Sequence, residues 1–213
     1  MKRVLFSLLM SAFVSALAAD VIEPCERIYL FTEEDPDAWT VYLRDGDETA
    51  GVFSAKDGIL HCVGEPYGYI RTTAEYKNYR FNVEWRWVDE PGNSGVLLHT
   101  QEPDKVWPEC IEAQLRSGNA GDFIMLGGTS IKQHEGLGLR LPMFGESNEL
   151  PAGEWNRYEI YCMDDGIYIS VNGELKNVAT EASLTSGTIA LQSEGAPVQF
   201  RNVYIEPITR AED

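Results

Sequence analysis

Between Asn93 and Gly128 the chain repeatedly sets His, Glu, Gln, Asp and Asn between short apolar runs and glycine turns. Within this stretch Ile111-Glu-Ala-Gln-Leu115 alternates apolar and polar residues, and a β-strand sends such a series to opposite faces of its sheet. Glu112 and Gln114 then share one face, while Ile111, Ala113 and Leu115 share the other. A carboxyl group and an amide side by side can move a proton and steady a developing negative charge. The same alternation also arises where one face of an antiparallel sheet is simply wet.

Other residues could join them. His99 ends the run Val96-Leu-Leu-His99 shortly before Glu112, and an imidazole titrates near neutral pH, which suits a base. Glu112 is the rival base, or the group that orients His99. Arg86 and Gln114 can donate to a developing oxyanion, and Gln192 and Glu194 share one strand face at i and i+2. His134 lies in Lys132-Gln-His-Glu135, where a loop could reach a cleft, and Trp107 offers a flat ring for stacking. Each has an ordinary structural alternative: a hydrogen-bonded histidine at a strand end, an Arg86 ion pair with Glu84 or Glu112, a Trp-Pro packing anchor, a polar network on a sheet face. A divalent ion held by His99, Glu112 or Asp122 stays open, although no recognised ligand spacing supports it.

The elements that must carry these residues are short strands. Arg27–Phe31, Trp39–Leu43, Val52-Phe53, Gly58–Val63 and Gly68–Arg71 follow one another with turn residues between them, at a spacing expected of a β-sandwich. Tyr79–Val88 puts Phe81, Val83, Trp85 and Trp87 on one side, which must be core, and Arg80, Asn82, Glu84 and Arg86 on the other. Residues 136–151 are irregular and read as a loop at an edge or mouth of the sheet. Strands resume at Trp155–Cys162, Ile167–Val171, Gly187–Gln192 and Val198–Ile205, with Asp-Gly and Asn-Gly turns at 165–166 and 172–173. No segment sustains helical periodicity. The fold class is therefore all-β, an antiparallel sandwich of jelly-roll type.

The first 19 residues combine Lys2-Arg3, an apolar run from Val4 to Leu17 and the small-residue exit Ala16-Leu-Ala-Ala19, the pattern of a secretory signal peptide. Residues 20–213 then form one exported domain, periplasmic or extracellular, with no membrane insertion after cleavage. Lys2 and Arg3 fall in the leader, so the remainder carries 34 acidic residues against 15 basic, a net charge of −19. Such a surface repels nucleic acid and anionic lipid. Cys25, Cys62, Cys110 and Cys162 are either disulfide partners or small buried hydrophobes.

Taken together and in order, Gly68-Tyr-Ile-Arg71, Asn93-Ser-Gly-Val96, Glu112-Ala-Gln114, Gly153-Glu-Trp-Asn156, Val171-Asn-Gly173, Leu191-Gln-Ser-Glu-Gly195 and Phe200-Arg-Asn202 resemble the 3-keto-disaccharide hydrolase family. The resemblance covers nearly all of residues 20–213. Trp107-Pro108, Glu112-x-Gln114 and Gly118–Phe123 look like a branch common in exported Bacteroidetes proteins, with Glu109 standing where a basic residue is expected. It implies a concanavalin A-like jelly roll whose concave sheet holds carbohydrate, and cleavage of glycosides oxidised to a ketone at position 3. Glucanases of the same broad fold line several carboxylates along one strand face, whereas this strand supplies one, which argues against ordinary two-carboxylate hydrolysis. A 3-keto sugar needs instead a base for the C2 proton, His99 or Glu112, and donors for the enolate, Arg86 and Gln114. Gln192, Glu194, His134 and Trp107 would make the remaining sugar contacts. A non-catalytic carbohydrate-binding domain is the alternative.

Overall fold

The computed structural model describes residues 20–44, 46, 51–134 and 136–208; the leader at 1–19 lies outside the described residues. Two antiparallel sheets face one another. The first runs in the order β13 (Glu174–Ala179), β12 (Gly166–Val171), β11 (Asn156–Met163), β6 (Tyr79–Trp87), β15 (Val198–Pro207), β4 (Ile59–Cys62) and β3 (Phe53–Lys56), with β1 (Ile28–Tyr29) also paired to β15. The second runs β10 (Arg140–Leu141), β9 (Phe123–Leu126), β8 (Cys110–Gln114), β7 (Gly95–Thr100), β14 (Thr188–Ser193), β5 (Gly68–Thr72) and β2 (Trp39–Leu43). Consecutive hairpins such as β7–β8–β9–β10 and β11–β12–β13 are joined by pairings between strands distant in sequence, β6 with β11 and β15, and β14 with β7 and β5, as in a jelly roll.

Alternation decides what lies between the sheets. On β6, Tyr79, Phe81, Val83, Trp85 and Trp87 are buried, while Arg80, Glu84 and Arg86 on the outer side stay partly exposed. Trp85 meets Tyr158 of β11 edge-on at 5.3 Å between ring centres, and Val96, Leu98, Ile111 and Ala113 close the core from the second sheet. The Asn-Gly pair sits where expected: Asn172 (φ 50°) and Gly173 (φ 83°) both take the positive φ that a tight β12–β13 hairpin needs. At the preceding hairpin β12 already begins with Gly166, and the positive φ falls on Asp164 instead. Cys62, Cys110 and Cys162 are buried and unpaired, and Cys25 is exposed and unpaired, so the small-hydrophobe reading holds for the three buried thiols. Burial pushes Cys62 up to about 11 and Cys162 to about 12, leaving both poor nucleophiles.

One irregularity changes the face of a predicted site residue. Leu97 stands opposite Ala190, yet Thr100 stands opposite Thr188, so β7 carries an extra residue there. His99 sits in this bulge at φ 55°. Its ring therefore turns into the space between the sheets, edge-on to Tyr79 at 5.7 Å, with Nδ1 donating to the Leu184 carbonyl at 3.1 Å. Gly187 on the neighbouring strand makes room, since a Cβ there would lie 2.5 Å from the His99 carbonyl carbon.

Burial lowers the His99 imidazole from 6.5 to about 4, against the Leu184 carbonyl, which favours the charged form. The folded chain thus refuses a proton that the unfolded chain accepts. Stability is full above pH 6.5 and falls as pH drops from there toward about 4, by on the order of 3 kcal/mol at the lower end. His99→Asn, which tolerates positive φ and does not titrate, removes this slope. Denaturant unfolding of both proteins across that pH range checks it, and a stability difference independent of pH would contradict the assignment.

Candidate functional site

The outer face of the second sheet gathers polar groups. Glu112 stands opposite Leu97, and Gln114 opposite Gly95; Ala190 stands between Leu97 and Arg71, and Gln192 is opposite Tyr69. Small residues, Gly95 and Ala190, floor the centre of this face. A Cβ built on Gly95 would lie 2.4 Å from Glu112 Oε1 and 2.4 Å from Gln192 Oε1. Only glycine lets the carboxyl group of β8 and the amide of β14 converge across β7.

Glu112 is only 3 % exposed, and neither Glu112 Oε1 nor Gln192 Oε1 has a hydrogen-bond partner. Burial, and then the nearby Glu194 carboxylate, hold the Glu112 carboxyl well above the usual carboxylate range. These surroundings favour the protonated form of Glu112. Glu194, just past β14, is also raised by burial, but the Trp107 indole works the other way by donating to Oε1 at 3.3 Å. Asn93 Nδ2 donates to its Oε2 at 2.8 Å. The Gln114 Oε1 is taken by the backbone N–H groups of Leu115 and Arg116 at 2.9 and 2.8 Å, so its NH2 is the end left for a ligand. The Arg44 guanidinium lies over Tyr67 at 4.6 Å and over the half-exposed Trp107 at 5.6 Å. An open depression lined by Gly92, Asn93, Arg116, Ser117, Glu194 and Gly195 adjoins the group.

Of the residues singled out in the sequence, Glu112, Gln114, Gln192, Glu194 and Trp107 meet on or beside this face. Three do not join them. His99 is turned into the core by the bulge and cannot orient or replace Glu112. Arg86 projects from the outer side of the first sheet, where Nε donates to Gln199 Oε1 at 2.7 Å and the guanidinium stacks on Trp155 at 4.6 Å; it pairs with neither Glu84 nor Glu112. His134 lies in a 3-10 turn, Lys132–His134, whose side chains bond Thr180 and Glu181 after β13. The trio suggested for a divalent ion is also apart, because Asp122 is wholly buried in bonds to Arg140 and the Met143 amide. Among the described residues no group of three His, Cys, Asp or Glu side chains is gathered to hold an ion. Sequence reasoning missed Tyr69, Arg71 and Asp104, which form a polar cluster on the same face. Gly68-Tyr-Ile-Arg71 did carry the alternation that places Tyr69 and Arg71 there, but Asp104 lies in a loop without periodicity.

The sequence matches the profile of the 3-keto-alpha-glucoside-1,2-lyase-like domain over residues 26–206. The chain belongs to that family. Members of it are carbohydrate-active, glycosyl-hydrolase-like domains, and carbohydrate is the ligand class. Among solved structures, a provisionally named glycosyl hydrolase from Parabacteroides distasonis superposes with a TM-score of 0.65 at 22% identity, covering 86% of this chain and 94% of its own. The carbohydrate-binding module CBM66 of Bacillus subtilis gives 0.59 at 13% identity, covering 79% and 95%. The β-glucanase of Bacillus licheniformis gives 0.51 at 15%, covering 75% and 84%. These likenesses establish the shared two-sheet fold. No curated protein sequence gives a significant match.

Two substitutions probe the convergence over Gly95. Gly95→Ala forces Glu112 and Gln192 apart and abolishes carbohydrate binding, while the overpacking costs only about 1–3 kcal/mol of stability, as ligand titration beside thermal unfolding will show. Glu112→Gln removes an acid whose protonated form the fold favours but which the unfolded chain ionises above about 4.5. The variant therefore gains stability over wild type increasingly as pH rises past that value. Equal pH profiles for the two proteins would show that Glu112 is charged in the fold.

Proposed function

We propose that the protein is an exported enzyme that cleaves 3-keto glycosides by elimination across C1 and C2. The observation that carries this reading is the pair of acidic groups on one face, the buried Glu112, whose protonated form its surroundings favour, and the more open Glu194 with its two side-chain donors. Two titratable groups held in different states by their surroundings are the usual basis for assigning an acid and a base. The family match and the leader at 1–19 support the substrate class and the export.

In this mechanism the C3 ketone of the sugar acidifies the neighbouring C2–H bond. The Glu194 carboxylate, oriented by Asn93 and Trp107, takes that proton, and the electron pair moves into an enolate on O3. The amide NH2 groups of Gln114 and Gln192 donate to that oxygen. As the enolate reverts to the ketone, the C1–O bond breaks with formation of a C1=C2 double bond, and Glu112 gives its proton to the departing oxygen. One proton enters at Glu194 and one leaves from Glu112, so solvent exchange resets the pair. Addition of water to the unsaturated product turns elimination into net hydrolysis. Trp107 supplies the face on which the sugar ring stacks.

Product release from 3-keto glycosides and from their unoxidised parents tests the reading. Cleavage is expected for the keto compounds alone, with a primary isotope effect when C2 carries deuterium. Glu112→Gln and Glu194→Gln each lower kcat by about 10²–10⁴-fold, and His99→Asn leaves it near wild type. Equal cleavage of the parents would overturn the elimination mechanism. Binding of the keto sugars without any cleavage would make the protein a carbohydrate-binding domain, the reading that the half-exposed Trp107 platform also fits.

A further inference from the structure

Glu112 and Gln192 present unpartnered acceptors on a face that is closed to solvent. Beneath them Tyr69, Leu97, Cys110 and Ala190 form a small apolar cluster, each 0 % exposed, separate from the core between the sheets. This outer face would be open if it consisted of strands alone, so another part of the chain covers it. The segment that reaches across it is the connection from β7 to β8, residues 101–109. Its ends are tied together, Gln101 N–H donating to the Glu109 carbonyl at 2.9 Å, which closes it into a compact loop.

Its grip on the face is polar. Asp104 Oδ1 accepts from the Tyr69 hydroxyl at 2.7 Å and from Arg71 Nε at 2.9 Å, and Oδ2 accepts from Arg71 Nη2 at 3.1 Å. Glu102 accepts from Arg71 Nη2 at 2.5 Å. Trp107, further along, reaches Glu194. A loop fastened at a few polar points, with few buried apolar contacts of its own, belongs to the segments that open below the global stability.

We infer that residues 101–109 are a hinged strap over the carbohydrate site, latched by Asp104 on Tyr69 and Arg71, and that closing the latch sets the Trp107 indole against Glu194. Asp104 is thus a positioning residue that acts on the proton-accepting carboxylate through Trp107. The role given to Glu194 rests on the proposed elimination, whereas the opening of the strap does not. With the latch released, Trp107 no longer holds Glu194, and the stabilisation that its N–H gives the carboxylate is lost. A sugar entering the face then finds its base unplaced.

The test pairs amide hydrogen exchange with kinetics, using wild type, Asp104→Ala and Asp104→Asn. In Asp104→Ala, which loses all three hydrogen bonds that the carboxylate accepts, the amides of residues 101–109 are expected to exchange at least about tenfold faster, while those of β6 and β15 are unchanged. On a 3-keto glycoside kcat falls by a similar factor, and the acid limb of the kcat/KM profile moves to higher pH as Glu194 loses the Trp107 N–H. Asp104→Asn, which keeps an acceptor for Tyr69, recovers part of both effects. Strap amides that in wild type exchange as slowly as those of β6 would overturn the proposal. Uniform acceleration of all amides in Asp104→Ala would do so as well, since it marks a purely structural role. If no glycoside is cleaved but the strap exchanges as expected, the hinge stands and the elimination reading falls.

Discussion

A carboxyl group buried over glycine is the constraint on which the rest of the arrangement depends. Glu112 lies on a sheet face that excludes water, next to another carboxylate and opposite an amide oxygen. An ionised carboxylate so placed is costly, so the surroundings favour its protonated form. That state persists only because the backbone beneath it cannot yield. β8 is bonded to β7 and β9 in continuous register, and β7 to β14, so the strands that carry Glu112 and Gln192 are held apart by the one strand that bears Gly95.

The opposite sheet supplies the rigidity. The aromatic side of β6 packs Trp85 and Trp87 under the second sheet, and Tyr158 of β11 adds a hydroxyl that donates to the Gln114 carbonyl at 2.8 Å. That bond ties the end of β8 to the other sheet across the core. Aromatic burial on one sheet thereby fixes the angle at which the polar face of the other is presented. The charge distribution follows the same division. On the first sheet's outer face Arg80, Arg157 and Arg201 pair with Glu84, Glu159 and Glu206, as in Arg201–Glu84 and Arg80–Glu206, while Arg71 beside the site is paired with Asp104.

Most of the fold was legible because alternation is a local property. Trp39–Leu43 is a strand over the span expected, the aromatic side of Tyr79–Trp87 is core, and the shared face of Glu112 and Gln114 is real. His99 was singled out for its imidazole and its nearness in sequence to Glu112, but the face it takes is set by a bulge against the partner strand at Thr188, far away in sequence. Arg86 was misplaced for a different reason. Its own strand was read correctly, with Arg86 opposite the core side, but which sheet that strand joins is a long-range fact. The two sheets' outer faces look alike in a sequence, and only one of them carries Glu112. Asp104 left no trace at all, since a loop residue acquires its partners, Tyr69 and Arg71, only when the loop folds back.

The carboxyl pair shows how a single-carboxylate strand can still present two acidic groups. Counting along β8 gives Glu112 and then Gln114 and Arg116, one acid where a two-carboxylate hydrolase strand would have more. The second arrives from the end of β14, two strands away across β7. Groups brought together this way differ in environment as a matter of geometry. A mid-strand residue such as Glu112 is walled by neighbours on both sides, while Glu194, past the last ladder bond of β14, meets an open depression and two side-chain donors. Carboxylates spaced along one strand would sit in more nearly equal surroundings and compete for a single proton. Placing one in mid-sheet and the other at a strand end gives the two carboxyl groups different surroundings without any cation beside them.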